Sequence, residues 1–147
     1  MIRRTSGLLA FLAAVLLSAS PAYSQSVTVH LTTIAASNQE RGIDGRLGPL
    51  SGQLTSLFQY AGYRMLDQHT LNVSGGREGS APLPPDRRIV VTPRGVQGGM
   101  VNLNVVIRSP DRVILNTDFR IANDGTVLVG GPRFRDGVLI IAIRARF

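Results

Sequence analysis

Between Met100 and Ala122 lie two stretches whose apolar and polar residues sort onto opposite faces only if the stretches pair as a hairpin. Residues 100–108 (MVNLNVVIR) and 112–122 (RVILNTDFRIA) flank the turn-forming Ser109-Pro110-Asp111. One pairing sets Val101 against Phe119, Leu103 against Thr117, Val105 against Leu115 and Ile107 against Val113. The other face then matches Asn104 with Asn116 and Asn102 with Asp118. A slip of one residue would turn the whole apolar set toward water, so the pattern demands antiparallel strands with one buried face.

Other strands follow from the same period. Residues 27–36 (VTVHLTTIAA) place Val27, Val29, Leu31, Thr33 and Ala35 on one side and Thr28, His30, Thr32 and Ile34 on the other. Residues 69–74 and 88–92 are expected as short strands, and residues 75–86 (GGREGSAPLPPD) as a loop from their glycine, serine and proline content. A turn over residues 95–99 leads into the hairpin. A second turn at Asn123-Asp124-Gly125 is expected to bring residues 126–129 back along residues 119–121. Gly130-Gly131-Pro132 opens a further loop, and residues 138–146 form the last strand.

After a polar turn over residues 37–45, Leu47, Leu50, Leu54, Leu57, Phe58, Ala61 and Met65 recur at helical spacing. The helix is expected to start near Gly48-Pro49, with Asp44 as a rival N-cap. Such a stripe has to lie on something, and the strands offer the surface. The expected fold class is therefore α+β: a single, mostly antiparallel sheet of about six to seven strands with one amphipathic helix packed on one face.

The amino end has a separate character. Arg3 and Arg4 precede the apolar run at residues 8–17, and Ala22 and Ser24 are small residues of the kind a signal peptidase accepts. Residues 1–24 are expected to be a cleaved signal peptide, leaving residues 25–147 as one α+β domain. The apolar run is well short of the roughly 20 residues that a spanning helix needs. The protein is thus expected to be exported, either periplasmic or extracellular, with no transmembrane span in the mature chain. It has no cysteine, so neither disulfides nor a lipidated cysteine enter the argument, and the fold must rest on its core.

All 16 basic residues are arginine, against 9 acids, for a net charge of +7. GC-rich coding is one explanation; selection for bidentate anion contacts is another. The balance favours acidic partners: a protein face, an anionic surface or a polysaccharide. No RNP-like, zinc-finger or helix-turn-helix pattern points to nucleic acid.

Chemistry is thinly represented. The two histidines are His30 and His69, no Gly-x-Ser-x-Gly elbow occurs, and the acids are scattered. Asp44, Asp67 and Asp118 could meet only through the fold. No catalytic residue, metal ligand or cofactor is assigned. Binding candidates are Arg133, Phe134 and Arg135 in the glycine-bordered loop 130–137, where guanidinium groups flank an aromatic ring. Alternatively, Phe134 tucks into the core edge. Tyr60, Tyr63 and Arg64 form a second candidate at the helix end, as an exposed patch or as tyrosines on the core rim. The outer row Asn102, Asn104, Asn116, Asp118 and Arg120 is a third surface: a solvated face, or one offering hydrogen bonds to a sugar or peptide. The alternating Leu139, Ile141, Ile143 and Ala145 before Phe147 resemble the closing strand of an outer-membrane barrel. With so few aromatics and a helix in the chain, a buried core strand is the preferred reading.

Three motifs carry a resemblance: Gly42-Ile43-Asp44-x-Arg46-Leu47, then Phe58-x-Tyr60-x-x-Tyr63-Arg64-x-Leu66, and Val129-Gly130-Gly131-Pro132 followed by residues 137–141 (GVLII). Together they resemble a group of small exported bacterial proteins without assigned function, over most of the chain from Val27 onward. The resemblance implies a cell-envelope setting and brings no catalytic residues. The expected function is an accessory binding module that contacts another envelope protein. A small-ligand or glycan binder using the polar sheet face is the alternative; an enzyme or a barrel ranks below both.

Overall fold

The computed structural model describes residues 25–147, so the leader expected over residues 1–24 lies outside the described residues. The elements run β1 (Ser26–Ser37), β2 (Gly42–Ile43), a 3-10 turn (Gly45–Leu50), α1 (Ser51–Leu57), β3 (Gly62–Ser74), β4 (Gly79–Leu83), β5 (Arg87–Gln97), β6 (Met100–Arg108), β7 (Val113–Ala122), β8 (Thr126–Phe134) and β9 (Gly137–Arg146). They form two sheets, a five-stranded sheet A in the order β2-β3-β1-β9-β8 and a four-stranded sheet B in the order β4-β5-β6-β7. Val27, Val29, Leu31, Leu139, Ile141 and Ile143 of sheet A share one core with Ile89, Val91, Val101, Leu103, Val105 and Ile107 of sheet B. The expected single sheet is therefore corrected to a mostly β sandwich.

The reason lies in β9. Leu139, Ile140, Ile141, Ala142 and Ile143 are all buried, so this strand needs cover on both faces. Leu139, Ile141, Ile143 and Ala145 point into the sandwich, while Ile140 and Ala142 join Ile34, Ala36, Leu47, Leu54 and Tyr63 in a second cluster beneath the helix. The alternation that resembles a barrel strand thus faces a protein core. The expected return of residues 126–129 along residues 119–121 is also corrected. At the turn, Gly125 N–H donates to the Ala122 carbonyl (2.8 Å) and Asp124 N–H to that of Ala145 (2.8 Å). The chain thereby crosses to sheet A, where β8 pairs with β9, Val129 opposite Ile141.

The hairpin of β6 and β7 keeps its predicted faces but not its predicted partners. Val101 pairs with Ile121, Leu103 with Phe119, Val105 with Thr117 and Ile107 with Leu115, two residues from the expected register. The turn is longer than the sequence suggests: Ser109 N–H donates to the Arg112 carbonyl (2.9 Å), and a register shift follows between Ile107 and Arg108. A shift of two preserves the facing of the side chains from Leu115 to Ile121, whereas Val113, expected opposite Ile107 on the apolar face, lies beyond the irregularity opposite Arg108 and is 49% exposed. The turn into β6 uses Gly98 and Gly99, both at positive φ (61° and 73°), which suits a two-residue hairpin.

The helix, 7 residues over Ser51–Leu57, is less than half its expected length. Phe58 is extended at φ −128°, ψ 153°, and Gly62 already pairs with Ser37 in sheet A. A Cβ at Gly62 would run into the Glu40 carbonyl, so this residue admits the neighbouring chain in a way no larger residue can. Met65 continues the leucine spacing by coincidence, from a strand opposite Ile34. Leu57 is left 64% exposed. Asp44, the rival N-cap, caps the 3-10 turn. The predicted loop 75–86 contains β4, whose Ala81 and Leu83 are buried. As an edge strand, β4 tolerates Pro82 where a central strand would lose a ladder bond.

This packing makes Leu54 and Leu57 unequal. Leu54→Ala should lower the unfolding free energy by about 3 kcal/mol, measured by urea denaturation, and Leu57→Ala by less than about 0.5 kcal/mol. Similar losses for the two would contradict the observed helix orientation.

Candidate functional site

The turn between β8 and β9 builds the site around Phe134. Arg135 takes positive φ (50°), which folds its guanidinium back over the Phe134 ring at 4.9 Å from the centroid. Phe134 itself is half-buried against the edge of the main core. Phe134 thus tucks into the core edge while its own neighbour Arg135 lies over the ring. Arg87, at the start of β5, donates from Nη1 to the Arg133 carbonyl (3.1 Å). Pro84, Pro85, Arg87, Arg133, Phe134 and Arg135 enclose a hollow of about 420 Å3. Among the described residues, the ion pairs join Arg46 to Asp44, Arg64 to Glu40, His69 to Asp67, and both Arg144 and Arg146 to Asp124. None of them involves Arg87, Arg133 or Arg135.

The other sequence candidates separate. Arg64 joins the same end of the molecule: with Phe134 and Arg135 it lines a smaller hollow of about 220 Å3. It pairs with Glu40 (3.2 Å) and donates to the Arg41 carbonyl (3.2 Å). Tyr63 is 1% exposed, so it offers nothing to a ligand. Its hydroxyl lies within hydrogen-bond reach of the Leu54 and Phe58 carbonyls (3.3 and 3.1 Å) and accepts from Tyr60 N–H (3.3 Å). Tyr63 thus ties off the carbonyls at the end of α1, and Tyr60 meets it edge-on at 6.5 Å. The proposed aromatic patch at the helix end is replaced by this structural pair, because the chain has already left the helix there.

His30 and His69 are on opposite faces of sheet A, since His30 pairs with Thr70 and His69 with Leu31. They cannot act on one substrate atom together. His69 Nε2 contacts Asp67 (2.9 Å). Among the described residues no group of three or more His, Cys, Asp or Glu side chains could hold a metal ion. On the outer face of sheet B, Asn104 donates to Asn116 and Asp118 (3.0 Å each), so much of that row's hydrogen-bonding capacity is turned on itself.

Asp44 holds the covering element in place. It accepts from Arg46 N–H (3.1 Å), from the Arg46 guanidinium (2.8 and 3.2 Å) and from Met65 N–H (3.2 Å). The Arg46 side chain first, and the backbone N–H groups of Arg46 and Met65 after it, hold its carboxyl well below the ordinary carboxylate range. The bond to Met65 links the 3-10 turn to β3 and so fixes one wall of a larger groove on the outer face of sheet A. That groove, about 910 Å3, includes His30, Thr32, Gln68, Thr126 and Arg144. Sequence reasoning missed it because these residues come from four strands, three of them distant in the chain. The signal available was the polar set Thr28, His30 and Thr32, alternating with the buried Val27, Val29, Leu31 and Thr33.

No family model matches the sequence, and no curated protein matches it. Among solved structures, the chain is similar to one described as the cryo-EM structure of the T2SS secretin XcpQ from Pseudomonas aeruginosa. The TM-score is 0.39 and the identity 8%, over 82% of this chain and 55% of that one. A likeness this loose assigns neither fold nor activity. Among the described residues, no helix is long and apolar enough to cross a membrane.

The Asp44 network has a pH signature. Its folded carboxyl stays ionised below the unfolded value near 3.9, so the stabilisation is complete above about pH 4 and declines as the pH falls toward the folded value. Asp44→Asn should lower Tm at pH 7, and the gap from the unaltered protein should narrow by about pH 2.5. A gap of constant size at both pH values would contradict the charged role given to Asp44.

Proposed function

We propose that this chain is an accessory binding module of the bacterial cell envelope, acting outside the cytoplasm by docking an acidic face of another envelope protein. The observation that carries the reading is the convergence of Arg87, Arg133 and Arg135, none of them ion-paired, around a hollow edged by Phe134, Pro84 and Pro85. Arginine and aromatic residues are the groups enriched where protein interfaces concentrate their binding energy. Guanidinium groups match carboxylates in a planar, two-point contact that lysine cannot reproduce. Leu66, 37% exposed, lies with Phe134 and Arg135 around the adjoining hollow, which extends the apolar part of the surface. The leader pattern and the resemblance to small exported proteins support the compartment.

The test uses the full processed chain and fluorescein-labelled poly-L-glutamate. Arg133→Ala with Arg135→Ala should weaken binding by about tenfold, the loss expected for two partly exposed charge pairs, while Tm stays unchanged. Arg108→Ala with Arg112→Ala, at the β6–β7 turn, should leave binding as it was. Equal affinity for the double Arg133/Arg135 variant and the unaltered protein would remove this end of the sandwich as the docking surface. Binding to dextran sulfate but not to poly-L-glutamate would replace the protein partner with an anionic polysaccharide.

A further inference from the structure

The outer face of sheet A changes character halfway along its strands. Across the register, the row beneath the helix is Met65, Ile34, Ile140 and Gly130. The next row is Gln68, Thr32, Ala142 and Leu128, and the one after it Thr70, His30, Arg144 and Thr126. A last row holds Asn72, Thr28 and Arg146. β1 and β9 lie inside this sheet, and their opposite faces pack Val27, Val29, Leu31, Leu139, Ile141, Ile143 and Ala145 into the core. The short helix covers the apolar rows and stops, leaving the polar rows as the floor of the groove of about 910 Å3. Pro49, Leu50 and Gln53 form one wall, and Asp124 stands at the other side.

The charges in the groove do not cancel. Arg46 is taken up by Asp44 (2.8 Å). Arg144 shares the single carboxylate of Asp124 with Arg146, at 3.1 and 3.5 Å; Arg146 stands beyond the groove's lining, so the three groups together place one net positive charge at the groove's edge. His30 meets the Thr70 hydroxyl through Nδ1 (3.2 Å), and among the described residues its Nε2 has no partner. Gln53, Gln68, Thr32 and Thr126 add neutral hydrogen-bonding groups, while Leu50 and Met65 supply an apolar flank.

We propose that this groove binds an acidic sugar of the uronic acid type. The carboxylate meets Arg144 and His30, ring hydroxyls meet Gln68 and Thr32, and the C–H face of the ring lies against Leu50 and Met65. One net positive charge at the edge of a groove otherwise lined by neutral hydroxyl and amide groups suits a monoanion rich in hydroxyls better than a phosphate dianion, which calls for several charged donors. Among the described residues the groove's lining contains no Phe, Tyr or Trp ring on which a neutral sugar could stack, so the carboxylate supplies the anchoring contact. This site is independent of the Arg133–Arg135 surface: it uses the opposite ends of β8 and β9.

Isothermal titration of the full processed chain with digalacturonate provides the test, with cellobiose and inorganic phosphate as separate arms. Saturable binding of digalacturonate is expected, with none for cellobiose. Arg144→Ala should weaken it by about tenfold and Gln68→Ala by about threefold, in line with charged and neutral hydrogen bonds. Arg133→Ala with Arg135→Ala should not change it. On the unaltered protein, amide shifts should cluster at residues 30, 32, 126 and 144. Absence of saturable binding, shifts elsewhere, or an Arg144→Ala affinity equal to that of the unaltered chain would each overturn the assignment. Phosphate that displaces digalacturonate at matching concentration would reduce the groove to a general anion site and overturn its sugar specificity.

Discussion

Everything in this structure depends on one strand that cannot show either face to water. Leu139 to Ile143 of β9 are buried in sequence without a gap, and strand geometry sends alternate residues to opposite sides. The odd-numbered set requires a second sheet; the even-numbered set requires the helix. Two layers over one strand explain why a chain with no cysteine holds together by packing alone. They also explain why β8 pairs beside β9 and leaves β7 at the edge of the other sheet.

The helix is an economical cover, and its shortness has consequences for the surface. Leu47 and Leu54 are buried over Ile34, Ala36 and Ile140, and Tyr63 closes the far end by holding the Leu54 and Phe58 carbonyls. Asp44 fixes the near end by bonding across to Met65. Between these two ties the cover has no freedom to lengthen over Thr32 and His30. The polar rows of sheet A are therefore left open by construction, as a groove with a rigid floor. At the other end of the same strands, the tight β8–β9 turn pushes Phe134 and Arg135 outward beside Arg87. The two proposed binding surfaces lie at opposite ends of β8 and β9, where these strands emerge from under their cover.

Much of the architecture was legible as strands, and less of it as partners. β6 and the first half of β1 lie where alternation places them, because each has one wetter and one dry face. The helix was overextended because Ala61 and Met65 happen to continue a leucine spacing that the strand register of Gly62 and Tyr63 overrides. The hairpin's faces were legible and its pairs were not: side-chain parity survives a shift of two, and only the turn geometry at Ser109 and Arg112 decides between the registers. The sheet crossing at Asp124 was hidden for a similar reason, since a glycine-containing turn reads the same whether the next strand returns or crosses. β9 did carry a signal in its unbroken apolar run, which calls for cover on both sides. Of the candidate residues, Arg64, Phe134 and Arg135 come together because local turn chemistry places two of them. The polar alternation marked His30, but its meeting with Gln68, Thr126 and Arg144 was beyond reach because a groove floor is a property of cross-strand rows.

The most direct test of the doubly covered β9 is a set of inter-strand nuclear Overhauser contacts on the labelled protein. The account predicts contacts of Ile141 with Thr33 on one side and with Val129 on the other, and slow amide exchange from Ile140 to Ile143. Contacts joining Val127 or Val129 to Phe119 or Ile121 as hydrogen-bonded neighbours, with β9 at an edge, would contradict it.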